Sequence, residues 1–247
     1  MKKINGEEIT LDHFYKNRVK VLQKRDGYRF SVDSPILADF IPDLTGNILE
    51  IGTGSGIISF LLLYTGKAKK IKAVEIQKSL CTLAKESSEL NGFSDSFELF
   101  CGDFNEIYKK FTKIDTIFSN PPYLKTGTGK LSSNIEIRTA KFETDLTLEA
   151  LLTNSKNILS KKGDIFLILP FFRFEELINL TKHRVGLYIR KIRKIFSFSY
   201  GKPERFLVQL SNYRGNFEEL TSLVIYDSPG IYTKEMDSVL AGIKYDK

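Results

Sequence analysis

The chain of 247 residues has few of the side chains that build metal and nucleophile sites: two cysteines, Cys81 and Cys101, and two histidines, His13 and His183. None of these shows a metal-ligand spacing, and a Ser-His-Asp triad has little to draw on. Two cysteines make no disulfide framework, so they are expected as buried free thiols of a reducing compartment. No run of about 18 apolar residues occurs, so no transmembrane helix is expected. The opening MKKINGEEIT is basic but has no apolar segment behind it, unlike a signal peptide. These absences leave a cytoplasmic protein with no metal and no membrane partner, expected as a monomer.

Hydrophobic residues make up 42% and charged residues 27%, the balance of an ordinary globular protein large enough to bury a core. The net charge is +7. Its distribution says more than its size. Residues 181–205 hold eight lysines and arginines against the single carboxylate of Glu204, a local net charge of +7 that equals the excess of the whole chain.

Strand and helix patterns alternate from residue 47 onward. NILEI, KIKAVEI, FELFC, IDTIFS and GDIFLILP read as short buried strands. IISFLLLYT, SLCTLAKESSELNG and LTLEALLTNSKNILS read as the helices between them, the second stopping at Asn91-Gly92. This alternation predicts parallel βαβ units. LYIRKIRKIFSF and RFLVQLSNY follow without an intervening helix and are expected to pair antiparallel near the sheet edge. Residues 1–45 are expected as an N-terminal extension packed on the core. It would hold a hairpin turning at Asp26-Gly27 and a short helix, SPILADFI, capped by Asp33 or Ser34 with Pro35 in its first turn. Residues 46–247 would form the main domain. The long polar segment after Tyr123, residues 124–143, is expected as a binding loop. It is no P-loop, because Gly129-Lys130 is followed by Leu131.

Three stretches can carry chemistry. LEIGTGSG places Gly52, Gly54 and Gly56 at a strand-to-helix turn, where glycine permits a tight turn and close ligand approach. It is not the dinucleotide fingerprint, since Ile57 stands where the third glycine of that pattern belongs. Glu75 ends the next strand and could accept from two ribose hydroxyls; a solvated strand-end carboxylate is the plainer reading. Asp103 follows the third strand and could accept from an adenine amino group, with Phe104 against the base; the plainer reading is a helix cap. Together, one after each successive strand, they resemble the S-adenosylmethionine pocket of Rossmann-like methyltransferases.

SNPPY then follows the fourth strand. Asn120-Pro121-Pro122-Tyr123 resembles the motif of enzymes that methylate the amino groups of adenine N6 or glutamine N5. Beyond that motif, GYRFSVDSPILADF, LTLEALLTNSKNIL, GKPERFLVQL and LVIYDSPGIYTKEM resemble, in the same order, a bacterial family of tRNA1(Val) adenine-37 N6-methyltransferases. The resemblance spans almost the whole chain. It implies an α/β fold with a Rossmann-like seven-stranded sheet, mostly parallel with an antiparallel C-terminal hairpin. It implies S-adenosylmethionine as cofactor, tRNA as substrate and methyl transfer to adenine N6. The cofactor would meet Glu50, Gly52, Gly54, Gly56, Glu75, Ile76, Asp103, Phe104 and Asn120. Glu50 stands where the family often carries Asp. Asn120, Pro121, Pro122 and Tyr123 would hold the reacting nitrogen and its base. Arg184, Lys191, Arg193 and Lys202 are candidates for RNA phosphates, joined by Arg138 and Lys141 from the long loop. A glutamine N5-methyltransferase of release factors shares the motif but is expected to carry a helical N-terminal domain, which the strand-like residues before 46 do not suggest. An rRNA or DNA amino methyltransferase remains an alternative, as does an RNA-binding protein without catalysis.

Overall fold

The structure is a computed structural model that describes residues 2–4, 7–25, 32–121, 146–243 and 245. The chain begins as an antiparallel meander of β1 (Lys2–Ile4), β2 (Glu7–Phe14) and β3 (Val19–Lys24). The hairpin between β2 and β3 turns at residues 15–18 with Phe14 paired to Val19, and Tyr15, Lys16 and Asn17 all adopt positive φ. The sequence placed the turn one strand later, at Asp26-Gly27, which lies outside the described residues. In the observed hairpin, VKVLQK is the second arm. It docks on helix α3 (Lys78–Leu90): Leu22 N–H donates to Ser87 Oγ at 2.9 Å, Lys20 N–H donates to Asn91 Oδ1 at 2.9 Å, and Ile9 and Leu22 pack with Leu80 and Leu83.

Helix α1 (Asp33–Phe40) forms where SPILADFI predicts one, but no side chain caps it. Asp33, expected as a cap, is fully buried and ion-paired instead, its Oδ1 2.8 Å from Arg205 Nε. The βαβ series then runs β4 (Ile48–Ile51), α2 (Ile57–Tyr64), β5 (Ile71–Glu75), α3, β6 (Phe97–Cys101), α4 (Phe104–Ile107) and β7 (Ile114–Ser119). Residues 122–145, including the expected binding loop 124–143, lie outside the described residues; after them come α5 (Leu148–Ile158), β8 (Leu159–Pro170), α6 (Phe174–Asn179), β9 (Tyr188–Phe196) and β10 (Arg205–Ser211). The chain closes with β11 (Glu218–Val224), the small hairpin β12 (Tyr226–Ser228) and β13 (Ile231–Tyr232), and α7 (Lys234–Ala241).

Eight strands form the central sheet in the order β11-β9-β10-β8-β7-β4-β5-β6. All neighbours from β6 to β8 are parallel. β10 runs against both β8 and β9, so β9 points the same way as the parallel set. β11, unforeseen in the sequence, adds an eighth strand parallel to β9 and covers the edge that β9 was expected to occupy. Its first residues explain the pairing: Glu218 meets Lys191 at 3.3 Å and Glu219 meets Lys194 at 2.9 Å.

Side chains alternate across this sheet, and both faces are covered. Phe166 and Ile168 of β8 point into a core with Leu37, Phe60, Leu61 and Met236, from α1, α2 and α7. Ile165, Leu167 and Leu169 point the other way, against Leu151, Leu152 and Leu177 of α5 and α6. The result is a three-layer α/β/α sandwich. One expectation about its periphery is overturned: Cys81 of α3 and Cys101 at the end of β6 are not free thiols but a disulfide, and Cys101 is exposed. Helix α3 lies alongside β6, so residues 20 apart in sequence come within 6.2 Å at Cα.

Candidate functional site

The parallel strands all end at one edge of the sheet, where open α/β sheets bind ligands. The turn after β4 is shaped by three glycines in the left-handed region, Gly52 (φ 70°), Gly54 (φ 60°) and Gly56 (φ 94°). Gly52 N–H donates to Val74 O of the neighbouring β5 at 2.9 Å, so the turn is pinned to the next strand. Two of the glycines serve different ends. A Cβ on Gly56 would fall 2.4 Å from the Phe60 ring, so Gly56 makes room for the packing of α2. A Cβ on Gly52 would meet nothing within 4 Å, and Gly52 is exposed. The open space over Gly52 is the kind of approach a cofactor requires.

Glu50 sits beneath this turn, buried on β4. Thr53 Oγ1 donates to its Oε2 at 2.6 Å, and Ser59 Oγ donates to the same oxygen. These two hydroxyls were not singled out in the sequence; their offsets of three and nine residues from Glu50 were the available signal. Burial pushes the Glu50 carboxyl from its ordinary 4.5 up to about 7, the Ser59 and Thr53 hydroxyls oppose that rise, and the nearby Glu75 charge adds to it. A carboxyl raised on folding stabilises the fold fully below its unfolded value, and that contribution is lost as pH climbs through the folded value. Glu50→Gln is therefore expected to be more stable than wild type at about pH 9, by on the order of 3 kcal/mol, and to melt correspondingly higher, with the gap closing toward about pH 5. Calorimetric melting of the cofactor-free chain across that range measures it; an equal gap at both ends would show that Glu50 does not titrate as its burial requires.

Glu75 ends β5 almost fully buried, and it latches two backbones: Oε2 accepts from Gly54 N–H at 2.8 Å and Oε1 from Gln77 N–H at 2.9 Å. Ile76, beside it, is exposed. Asp103 follows β6 and is the N-cap of α4, accepting from Asn105 N–H at 2.8 Å, so the plainer reading of Asp103 holds whether or not it also meets a ligand. Phe104 departs from expectation. Its ring is 3% exposed in the core beneath α5, beside Tyr108, and so cannot offer its face to a base. The hydrophobic side of α4 has to be buried somewhere, and Phe104 is its only buried residue.

Asn120 follows β7 and is half-buried, and Pro121 after it is buried. Ser119 Oγ donates to Ile51 O at 2.7 Å, tying the end of β7 to the residue just before Gly52. Pro122 and Tyr123 lie outside the described residues. Gly52, Glu75, Asp103 and Asn120 thus stand at or just after the carboxyl ends of four strands that are neighbours in the sheet, on one edge.

The expected phosphate-binding cations fare differently. Arg138 and Lys141 lie outside the described residues. Arg193 is overturned as a phosphate contact: it is buried, its Nε donates to Thr221 O at 2.9 Å, and its Nη2 pairs with Glu235. Lys191 is ion-paired with Glu218. Arg184 is exposed, but it precedes β9, whose first residue Tyr188 pairs with Ser211 and, through it, with Asp164 of β8, which lies beside Thr116 early in β7. That is the opposite edge from Gly52. Lys202, exposed in the connection from β9 to β10, is on the same edge as Gly52 and forms no ion pair among the described residues.

A parallel sheet in this order, with an inserted antiparallel strand, a glycine turn after its central strand and acids after the next two, defines a Rossmann-like methyltransferase. The methyltransferase small domain model matches residues 29–182. The tRNA1(Val) (adenine(37)-N6)-methyltransferase of Actinobacillus pleuropneumoniae serotype 7 (strain AP76) is 33% identical over 188 residues, 76% of this chain and 77% of that protein. The protein of the same name from Histophilus somni (strain 2336) is 29% identical over 236 residues, 94% of this chain and 95% of that one. Among solved structures, a predicted O-methyltransferase from Agrobacterium tumefaciens shares the fold with a TM-score of 0.66 at 19% identity, over 86% of this chain and 97% of that one. The tRNA m1G37 methyltransferase of M. jannaschii shares it with a TM-score of 0.58 at 15% identity, over 88% of this chain and 57% of that one. The chain belongs to the methyltransferase small domain family and, within it, to the family of the bacterial tRNA1(Val) adenine-37 N6-methyltransferases.

Proposed function

We propose that this chain transfers a methyl group from S-adenosylmethionine to the N6 amino group of an adenine in tRNA, with adenine 37 of tRNA1(Val) as the target. The observation that carries the reading is the adjacency of Asn120 and Gly52, enforced by the hydrogen bond from Ser119 Oγ to Ile51 O. An acceptor pair for an amino group and an open glycine turn for a cofactor thereby share one edge.

Gly52 and Gly54 would admit the cofactor to the backbone, Glu75 would accept from its ribose hydroxyls and Asp103 from its adenine amino group. When bound, S-adenosylmethionine supplies an activated sulfonium methyl group. The target nitrogen is a poor nucleophile, because its lone pair is delocalised into the purine ring. The Asn120 side-chain oxygen and the Pro121 carbonyl accept its two N–H bonds, draw it toward a tetrahedral shape and aim its lone pair. Pro121 and Pro122 keep those acceptors rigid, which places them to stabilise the transition state more than the ground state. Tyr123 gives the base a ring to stack on. Holding the nitrogen at attack distance supplies much of the rate. The surplus proton leaves through the Asn120 amide oxygen or water, and no strong base is required. A loop adenine reaches such a pocket at less cost than a paired one, because less stacking is lost.

The full chain, incubated with S-adenosylmethionine and an unmodified tRNA1(Val) transcript, should yield N6-methyladenosine by nucleoside mass spectrometry. A transcript with guanine at position 37 should yield none. Absence of N6-methyladenosine from the first transcript would overturn the reading.

A further inference from the structure

We infer that the connection from β9 to β10, together with hairpin β12–β13, forms a second RNA-contacting surface. On it an unpaired nucleotide of the tRNA stacks on Tyr200 while Lys202 meets an adjoining phosphate. The inference rests on the tRNA reading above and adds to it a place where the RNA docks outside the pocket for the reacting base.

The starting observation is a ladder of four rings. Phe198 and Tyr200 are stacked, with centroids 5.4 Å apart and planes at 12°. Phe198 leans on Tyr226 at 5.6 Å, and Tyr226 stacks on Tyr232 at 5.0 Å and 17°. The other three rings, Phe198, Tyr226 and Tyr232, are half-buried and join the connection to the hairpin. Backbone bonds fix the same union: Tyr226 N–H donates to Ser197 O at 2.9 Å and Ile225 N–H to Phe196 O at 2.9 Å. Tyr200 ends the ladder 81% exposed. Lying flat on Phe198, it turns its outer face to solvent.

The ladder stands on the catalytic edge. Arg205, the first residue of β10, pairs with Pro170 at the end of β8 and with Ile195 near the end of β9. The 197–204 connection therefore spans the carboxyl ends of the strands, as Asn120 does. Phe171 N–H donates to Glu204 O at 2.8 Å, which fastens this connection to the residue after β8. β9 is three strands from β7, so the ladder begins about 14 Å along the edge from Asn120 at the usual strand spacing. That is close enough for a nucleotide a few positions from the target base in the same loop.

Charge points to the same place. Lys191, Arg193, Lys194 and Arg205 each face a carboxylate, from Glu218, Glu235, Glu219 and Asp33. Lys202, two residues from Tyr200, faces none among the described residues. An exposed ring beside an uncompensated cation is the pairing that binds single-stranded nucleic acid, since every base has a π-face and every linkage a charge.

The test is filter binding of the tRNA1(Val) transcript to the full chain over a range of potassium chloride. Tyr200→Ala should raise the tRNA Kd about tenfold, Tyr200→Leu nearly as much, and Tyr200→Phe less than about twofold, because stacking needs the ring and not the hydroxyl. Lys202→Gln should lower the slope of log K against log salt by about one. S-adenosylmethionine affinity should stay unchanged in all four. In turnover the Tyr200→Ala loss should fall on KM for tRNA and leave kcat near wild type. Tyr200 is exposed, so these variants are expected to melt with wild type. Wild-type tRNA affinity in Tyr200→Ala, or an equal loss in Tyr200→Phe, would overturn the surface while leaving methylation of adenine 37 intact. A wild-type chain that binds the transcript and responds to Tyr200→Ala but forms no N6-methyladenosine would instead overturn the assignment of the reaction and keep the surface.

Discussion

Asn120→Ala should lower turnover by about two to three orders of magnitude, the loss seen when one pre-organised group at a reacting centre is removed. Its affinity for S-adenosylmethionine should remain within about twofold, because Asn120 acts on the nitrogen that is methylated. The backbone around it should survive the change. Ser119 keeps its bond to Ile51 O, and Pro121, buried, keeps the following carbonyl in place. The variant thus removes the side-chain acceptor and leaves the Pro121 carbonyl, and the reacting amino group loses one of its two anchors. A single-turnover measurement at saturating tRNA and cofactor reads the chemical step. Methylation as fast as wild type would mean that the amino group is held elsewhere and that Asn120 serves only the turn.

The part of the fold legible in the sequence was the part where burial and connection leave little choice. ILEI, FLIL and their like are buried on both faces, so they read as continuous apolar runs, and Gly52 and Gly92 mark where the chain must turn. What escaped was whatever depends on contacts distant in sequence. β11 shows only Leu223 as a fully buried side chain. Its place at the edge follows from Glu218 and Glu219 meeting Lys191 and Lys194, a pairing that no local pattern announces. The Cys81–Cys101 bond needs α3 to lie on β6. The first hairpin turns through Tyr15, Lys16 and Asn17 without a glycine, so no turn signal in the sequence announced it.

In the site, the residues placed by position after a strand were legible: Gly52, Glu75, Asp103 and Asn120 all fall on one edge. Their neighbours were not, because a residue next to a motif can belong to the core. Gly56 accommodates Phe60, and Phe104 is packed beneath α5. The basic segment misled for a related reason. Counting cations over 181–205 omits the carboxylates that meet them in the fold, Asp33, Glu218, Glu219 and Glu235, which come from both ends of the chain.

Glu75→Ala should raise the S-adenosylmethionine Kd roughly 100-fold, and Glu75→Gln roughly tenfold. Loss of one charged hydrogen-bond partner is ordinarily about 1.5–3 kcal/mol, and two losses meet at this residue. One is the acceptor for the ribose hydroxyls. The other is the latch: with the carboxylate gone, Gly54 N–H loses its 2.8 Å acceptor and Gln77 N–H its 2.9 Å acceptor, so the glycine turn that shapes the pocket is released from β5. Glutamine keeps a carbonyl oxygen for one of these donors but presents an amide N–H to the other, hence the smaller loss. A separate signature identifies the latch. Burial is the main push on the Glu50 carboxyl and the Glu75 charge adds a smaller one, so neutralising Glu75 should lower Glu50 slightly while burial still holds it raised. The pH-dependent advantage of Glu50→Gln should then shrink in a Glu75→Gln background. Calorimetric titration with S-adenosylmethionine, alongside melting curves from about pH 5 to about pH 9, reads both effects. Unchanged cofactor affinity in folded Glu75→Ala would remove Glu75 from the pocket. Weakened affinity with an unaltered Glu50 response would leave the ribose role standing and discard the electrostatic coupling between the two carboxylates.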